Sequence, residues 1–218
     1  MNYIAEKDEP DNTSEPATAD DNPSATSVSM SWLARLSRTR ANGRLGLVCD
    51  AATSLALITL AVYKYGLPVA SSYAAVLAGL ALFTFIEYAF HRWLFHGNVA
   101  TLRRGHWQHH LFPLGDDSLP FFVPPFGLAL IAYALSAIIP AGIALLFAGG
   151  LAAGYAAYGI SHIVIHNTRF NRAGPRNWAA AHHIHHHHPD KNFGVTTPLW
   201  DVILRTRYVS THLPPTAR

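Results

Sequence analysis

Long apolar segments most limit the folds open to this chain. Residues 45–63, 69–90 and 121–159 contain only two charged side chains, Asp50 and Glu87. A helix rises about 1.5 Å per residue, so about 20 apolar residues cross a hydrocarbon layer of about 30 Å. Only 13% of the residues are charged, whereas about 25% is usual in soluble proteins. We therefore expect an all-α membrane protein.

The apolar segments predict four transmembrane helices arranged as two hairpins. Segment 121–159 is too long for one crossing, and Pro140 with Gly142 divides it. The fourth crossing continues to His166. The two turns on the far side carry only Lys64, whereas nearly all other Lys and Arg residues lie in the remaining polar regions. The positive-inside rule then places both termini and those polar regions in the cytoplasm.

Composition predicts the remaining boundaries. Residues 1–28 are acidic and rich in Pro, Ser and Thr, which is typical of a disordered tail. Residues 29–44 are basic and amphipathic, and we expect them to lie in the membrane interface. Residues 45–208 form the predicted membrane-embedded domain, in which the closing PLWDVILRTRY is a candidate interfacial helix. Residues 209–218 form a C-terminal tail.

Histidine occurs in four clusters. Thirteen of the fourteen histidines lie in HRWLFH, HWQHH, HIVIH and the stretch HHIHHHH, and the predicted topology brings all four clusters to the cytoplasmic face. Spacings of i, i+3 and i+4 project imidazoles from one side of a helix. Neutral imidazole is the commonest metal ligand in proteins. Two, three, two and three ligands from the four clusters make ten, which would serve two metal ions. We therefore expect a histidine-rich helical cap that holds a dinuclear site.

The long stretch leaves its ligands undecided. His182, His185 and His186 have the i, i+3, i+4 spacing, but His183, His186 and His187 have it equally. The single cysteine excludes an internal disulfide and a cysteine-based metal site. Basic residues flank the apolar segments, which favours lipid headgroups as partners and gives no reason to expect nucleic acid.

A histidine-rich membrane protein that binds or transports metal ions is an alternative of another class. A transporter should carry ionisable ligands near the middle of the bilayer. Here the histidines lie at the ends of the predicted spans, which disfavours transport.

The motifs EYAFHRWLFH, HWQHHLFP, SHIVIH and HHHHPDKNFGVTTPLWD together resemble the fatty acid hydroxylase and sterol desaturase superfamily, most nearly the fatty acid 2-hydroxylase catalytic domain. The resemblance runs from Leu45 to Arg207, and implies that residues 45–208 are a hydroxylase-like catalytic domain. It implies two iron ions, dioxygen as co-substrate, and hydroxylation of an unactivated C–H bond in a fatty acyl or sphingolipid-type chain. A lipid or sterol desaturase and a carotenoid hydroxylase are alternatives on the same site.

Residue by residue, the resemblance implies ten metal ligands: His91, His96, His106, His109, His110, His162, His166, His182, His185 and His186. His182 is preferred to His183 because the family tends to place two residues between the last histidine pair and Pro-Asp. Zinc can replace iron on isolation, because zinc competes strongly for such ligands. No haem domain precedes the apolar segments, so we expect electrons from a separate electron-transfer protein. The carboxylates available near the clusters to accept hydrogen bonds from the ligands are Glu87, Asp117, Asp190 and Asp201. We expect Glu87, at the end of a span, to be paired, and each of the other three to be a solvated surface charge.

Overall fold

The computed structural model of the chain describes residues 32–114 and 118–209. These residues form helices and connecting turns without a β-strand. Residues 32–37 form a short first helix. The labelled helices that follow are α1 (Arg40–Tyr65), α2 (Val69–Ala89), a π-helix (Phe90–Phe95), α3 (Ala100–Leu111), α4 (Val123–Ser136), α5 (Ala141–Asn167), α6 (Ala173–His187) and α7 (Leu199–Ile203). The predicted tails lie outside the described residues, apart from Val209.

Three helices are long and apolar enough to cross a membrane: α1, α2 with its π-helical extension, and α5. The chain is a multi-pass membrane protein, as predicted. Thr39 begins α1 by accepting a hydrogen bond from the Asn42 N–H, so the helix starts five residues before the predicted span. Gly66 ends α1 in the left-handed conformation at φ 54°, and Pro68 precedes α2. These two helices form the first predicted hairpin.

The third predicted span is shorter than expected. Its helix, α4, has 14 residues and is therefore about 21 Å long. Asn42, near the start of α1, holds the segment before α4: its amide donates to the Leu119 carbonyl (2.9 Å) and accepts from the Phe121 N–H (3.0 Å). After α4, Gly142 lies against Tyr65 at the other end of α1. Segment 119–142 thus runs the length of α1, but regular helix covers only part of that path.

Helix α5 packs between α1 and α2, and small residues allow its close approach to both. A Cβ added to Gly150 would lie 2.2 Å from the Val76 carbonyl oxygen of α2. On the other side, the Ser54 hydroxyl of α1 donates to the Gly149 carbonyl at 2.9 Å. Small residues commonly allow this packing between membrane helices. It fixes the end of α5 beside the end of α2.

Helix α6 and the segment after it pack against this end of α5. Ile165 of α5, Ala179 of α6 and Val195 form a small apolar core there, with Trp178 packed against them. The two segments predicted to be interfacial, 29–44 and the C-terminal PLWDVILRTRY, are less regular than expected. In the described part of segment 29–44, a break at Arg38 and Thr39 separates the short first helix from α1, which begins at Arg40. The C-terminal helix α7 has only five residues.

Candidate metal centre

A π-helix aligns the first two histidines. His91 and His96 are five residues apart, so a regular α-helix would turn them about 140° away from each other. Here the His96 N–H donates to the His91 carbonyl at 3.2 Å, which is the i→i+5 bond of a π-helix. The two rings lie 5.3 Å apart between centroids. The local π geometry therefore directs both imidazoles to the same side.

The structure brings nine of the ten predicted ligands together in two groups. Within each group the nearest potential ligand atoms all lie within 4.8 Å of one another. His186 lies beside group 2, with its Nε2 atom 3.2 Å from that of His182. Group 1 comprises His91, His96, His106, His110 and His185, and group 2 comprises His109, His162, His166 and His182.

Helices α3 and α6 each contribute to both groups. On α3, His106 and His110 belong to group 1, and His109 lies between them in sequence and belongs to group 2. On α6, His182 belongs to group 2 and His185 to group 1. The i, i+3, i+4 spacing thus joins the groups and sets their separation. His183, His187 and His188 are exposed and lie outside both groups.

The hydrogen bonds of the rings leave their inner nitrogen atoms free for a metal. His91 Nδ1 lies 2.5 Å from the Phe193 carbonyl oxygen, and His185 Nδ1 lies 2.7 Å from that of Lys191. A carbonyl can only accept, so each Nδ1 donates, and the Nε2 of the neutral ring keeps its lone pair.

The Nε2 atoms converge on one another within each group. His106 Nε2 lies 3.0 Å from both His91 Nε2 and His110 Nε2, and one N–H cannot serve both. His96 Nε2 and His185 Nε2 are also 3.0 Å apart, as are those of His109 and His162. Converging nitrogen lone pairs without intervening donors suit a bound cation. The residues therefore fit two metal ions with imidazole ligands.

The electrostatic environment keeps these rings uncharged. Burial, followed by the neighbouring His110 and His96, lowers the pKa of His106. Burial also lowers the pKa of His185 to about 3, although the Lys191 carbonyl acts in the opposite direction. Both imidazoles are neutral near pH 7, and neutral imidazole is the form that binds a metal.

The buried carboxylates contact a loop instead of the histidines. Glu87 Oε1 accepts from the backbone N–H groups of Val195 and Thr196, at 2.5 and 2.9 Å. Asp201 accepts from the N–H groups of Phe193 and Gly194, both at 2.8 Å. Glu87 is paired, as expected, but with backbone N–H groups and not with a ligand, whereas the expectation of a solvated charge is wrong for the buried Asp201. They hold the loop that carries the Phe193 carbonyl, and so reach His91 indirectly.

The other two predicted carboxylates do not contribute to the described site. Asp190 is exposed and pairs with Lys191 at 3.1 Å. Asp117 lies outside the described residues.

Sequence reasoning missed the buried Tyr88. Its hydroxyl accepts a hydrogen bond from Arg92 at 2.8 Å and lies 3.0 Å from the Thr206 hydroxyl, which in turn donates to Asp201 at 2.7 Å. This chain of hydrogen bonds connects α2 to the end of the cap. The sequence EYAFHR gives one signal for it, because a tyrosine three residues before a ligand lies close to it on a helix.

Comparisons with known proteins identify the family of this chain. The family model described as fatty acid hydroxylase matches residues 76–206. The chain belongs to this family, which confirms the resemblance seen in the motifs.

Two curated relatives illustrate the similarity. The chain is 32% identical over 145 residues to the dihydroceramide fatty acyl 2-hydroxylase FAH1 of Arabidopsis thaliana, an alignment of 60% of this chain and 59% of that protein. It is 31% identical over 182 residues to the fatty acid 2-hydroxylase of Homo sapiens, covering 78% of this chain and 46% of that protein. The chain thus spans only about half the length of these relatives.

A solved structure described as full-length scs7p, with only the hydroxylase domain visible, has the same fold. The TM-score is 0.68 at 23% identity, over 85% of this chain and 71% of that one.

Proposed function

We propose that this protein is a membrane lipid hydroxylase that converts an unactivated C–H bond of a fatty acyl or sphingolipid-type chain into an alcohol. The observation that carries the proposal is the pair of imidazole groups at one end of apolar membrane helices. The names of the relatives, which are fatty acid and dihydroceramide fatty acyl 2-hydroxylases, support the same reaction class.

Two iron ions are the proposed cofactors, one held by group 1 and the other by group 2 with His186. When bound, they would supply the activation of dioxygen that the protein side chains cannot perform. Purified protein can contain zinc instead, because zinc competes well for imidazole ligands. All ten predicted histidines have a role in this proposal.

The protein itself orients the ligands and limits access of water. The carbonyls of Phe193 and Lys191 fix the rings of His91 and His185 through their Nδ1 atoms. Phe95 stacks on His106 at 5.2 Å between centroids, and the buried Phe193 lies against His91 at 5.8 Å. These contacts hold the imidazoles in one orientation and cover part of the site with apolar rings.

The substrate is proposed to reach the site from the hydrocarbon layer. His162 and His166 lie in the last two turns of α5, which is a candidate membrane span. An apolar groove between α2 and α5, lined in part by Leu80, Thr84 and Ala157, lies below the cap and reaches Thr196. A lipid tail in such a groove would remain in an apolar environment while its head stays at the interface.

The proposed topology has four crossings, with both termini and the metal site in the cytoplasm. The contacts of Asn42 and Gly142 support it, because segment 119–142 runs between opposite ends of α1. The cationic residues on the site side of the helices support the cytoplasmic assignment. Electrons would then come from a separate carrier protein in the same compartment.

The test compares the lipids of cells that express the wild-type protein, His109→Ala or His187→Ala. His109 belongs to group 2, whereas His187 is an exposed histidine of the same cap outside both groups. We expect acyl lipids that have gained one oxygen atom with the wild type and with His187→Ala, but none with His109→Ala. Lipids that have lost two hydrogen atoms instead would indicate a desaturase. An unchanged lipid profile together with altered cellular metal content would favour metal transport and contradict the proposal.

A further inference from the structure

Part of the histidine stretch has no role in the metal groups. His183 and His187 are exposed and belong to neither group, and Arg176 lies on the same side of α6 because the spacings of seven and four residues match helical turns. Arg169 and Arg172, just before α6, are exposed as well. We call Arg169, Arg172, Arg176 and His183 the α6 face; His187, one turn further along the helix, is not part of it.

The α6 face is basic and has no acidic residue close to it in sequence. The chain contains no Asp or Glu between Ala141 and Pro189. The next carboxylate, Asp190, pairs with Lys191 at 3.1 Å. Among the described residues, Arg169, Arg172 and Arg176 have no side-chain hydrogen bond or ion pair. The face therefore presents unneutralised positive charge to a partner.

The character of this face suits an aqueous partner better than a membrane. No large apolar side chain is exposed between Ile163 and Leu199. By contrast, the exposed side of α3 and the residues after it include Trp107 at 51% and Phe112 at 66% exposure. Exposed aromatic residues beside arginines are typical of the membrane interface. The α6 face has only the charge, which favours an acidic protein.

The α6 face also contacts the metal centre directly. The exposed His183 ring lies 5.6 Å from the ring of His166, centroid to centroid, at an angle of 77°. His166 belongs to group 2. A redox partner on this face would therefore be separated from a proposed ligand by one imidazole.

We propose that the α6 face docks an acidic one-electron carrier protein, and that His183 is the residue through which electrons reach group 2. This inference rests on the proposed function. Each turnover converts R–H, O2, two electrons and two protons into R–OH and H2O, so two reduced carriers are oxidised in succession. Complementary charge mainly raises the association rate and makes binding dependent on salt.

The experiment uses the full chain, loaded with iron, in micelles of a neutral detergent. The probe is a reduced [2Fe–2S] ferredoxin with an acidic surface. Its affinity is measured at low and high salt, and its oxidation is followed by stopped-flow absorbance. We expect Arg172→Glu with Arg176→Glu to weaken binding at low salt by about tenfold or more, and to abolish most of the salt dependence. The matched control, Arg103→Glu with Arg104→Glu on the exposed side of α3, should bind ferredoxin as the wild type does.

The role of His183 has its own matched pair. His183→Ala should leave the affinity for ferredoxin unchanged but slow its oxidation several-fold at saturation. His187→Ala removes an exposed ring that lies outside the α6 face and belongs to neither group, and should change neither quantity. Equal rates for both variants would refute His183 as the route of electrons.

Three outcomes would overturn the docking inference. The first is a wild type that does not bind ferredoxin. The second is an Arg172→Glu/Arg176→Glu variant that binds it normally. The third is an Arg103→Glu/Arg104→Glu variant that loses more affinity for ferredoxin than the α6 variant does. A second set of micelles also contains an anionic phospholipid. Loss of that lipid from the Arg172→Glu/Arg176→Glu variant, with normal ferredoxin binding, would identify a lipid-contact face and overturn the docking inference. Lipid hydroxylation driven by dithionite separates the two claims. If the wild type does not hydroxylate lipid with dithionite, the proposed function is contradicted. If the α6 variants hydroxylate lipid with dithionite but not with ferredoxin, the docking inference is supported.

Discussion

Replacing Asp201 should strongly destabilise the loop that orients His91. The side chain is 1% exposed and accepts three hydrogen bonds, from the N–H groups of Phe193 and Gly194 and from the Thr206 hydroxyl. An unsatisfied buried donor costs about 1–3 kcal/mol. Asp201→Ala leaves both N–H groups without this acceptor. The Thr206 hydroxyl is not counted, because it keeps its contact with Tyr88. The expected loss is therefore about 2–6 kcal/mol.

Asp201→Asn should be milder, since its amide oxygen can still accept from Phe193 and Thr206. Its NH2 group then faces the Gly194 N–H, and one buried donor stays unsatisfied at about 1–3 kcal/mol. Thermal unfolding in detergent, with the metal content of the folded fraction, measures both variants. We expect Asp201→Ala to unfold earliest and to lose metal, because the freed loop carries the carbonyl that orients His91. The exposed Asp190→Asn should behave as the wild type, and an equally stable Asp201→Ala would refute the reasoning.

Three further predictions concern the metal groups and the membrane helices. His109→Ala should reduce metal content from two ions per chain towards one, measured by elemental analysis, while His187→Ala keeps two; unchanged metal in His109→Ala would exclude it as a ligand. A chelator should lower the melting temperature, since a ligand that binds only the folded state stabilises it, and an unchanged melting temperature would show that the cap folds without metal. Gly150→Ala would place its Cβ 2.2 Å from the Val76 carbonyl and force α2 and α5 apart, at a cost of about 1–3 kcal/mol. Gly127→Ala is its control in the same unfolding assay, because a Cβ added there would meet no atom within 4 Å. Equal melting temperatures of the two variants would contradict the close packing.

Local periodicity predicted much of the cap. The spacings in HWQHH and HIVIH place their histidines on one side of a helix, and both motifs lie in helices of the structure. The division of the long apolar segment at Pro140 is also confirmed, because α4 ends at Ser136 and α5 begins at Ala141. Such features depend on residues near in sequence, and propensity with spacing is sufficient to identify them.

Features that depend on distant contacts were not predictable in the same way. His183 and His182 are equivalent by spacing, and only the packing of α6 against α5 makes one exposed and the other buried. The hydrogen bonds of Glu87 to Val195 and Thr196 join residues more than 100 positions apart. The π-helix was in principle accessible, because two histidines five residues apart share a direction only with an i→i+5 bond. The length of α4 was only partly predictable: Pro124 and Pro125 lie in its first turn and signal its start, but the apolar composition continues beyond both ends.

The most direct test of the proposed hydroxylase uses the purified, iron-loaded protein in detergent with a long-chain ceramide, dithionite and isotopically labelled dioxygen. We predict a product whose new hydroxyl group carries one labelled oxygen atom, formed by the wild type and not by His109→Ala. A hydroxyl group labelled from water would contradict dioxygen as the co-substrate, and no product from protein that holds two iron ions per chain would contradict the hydroxylase function on this substrate class.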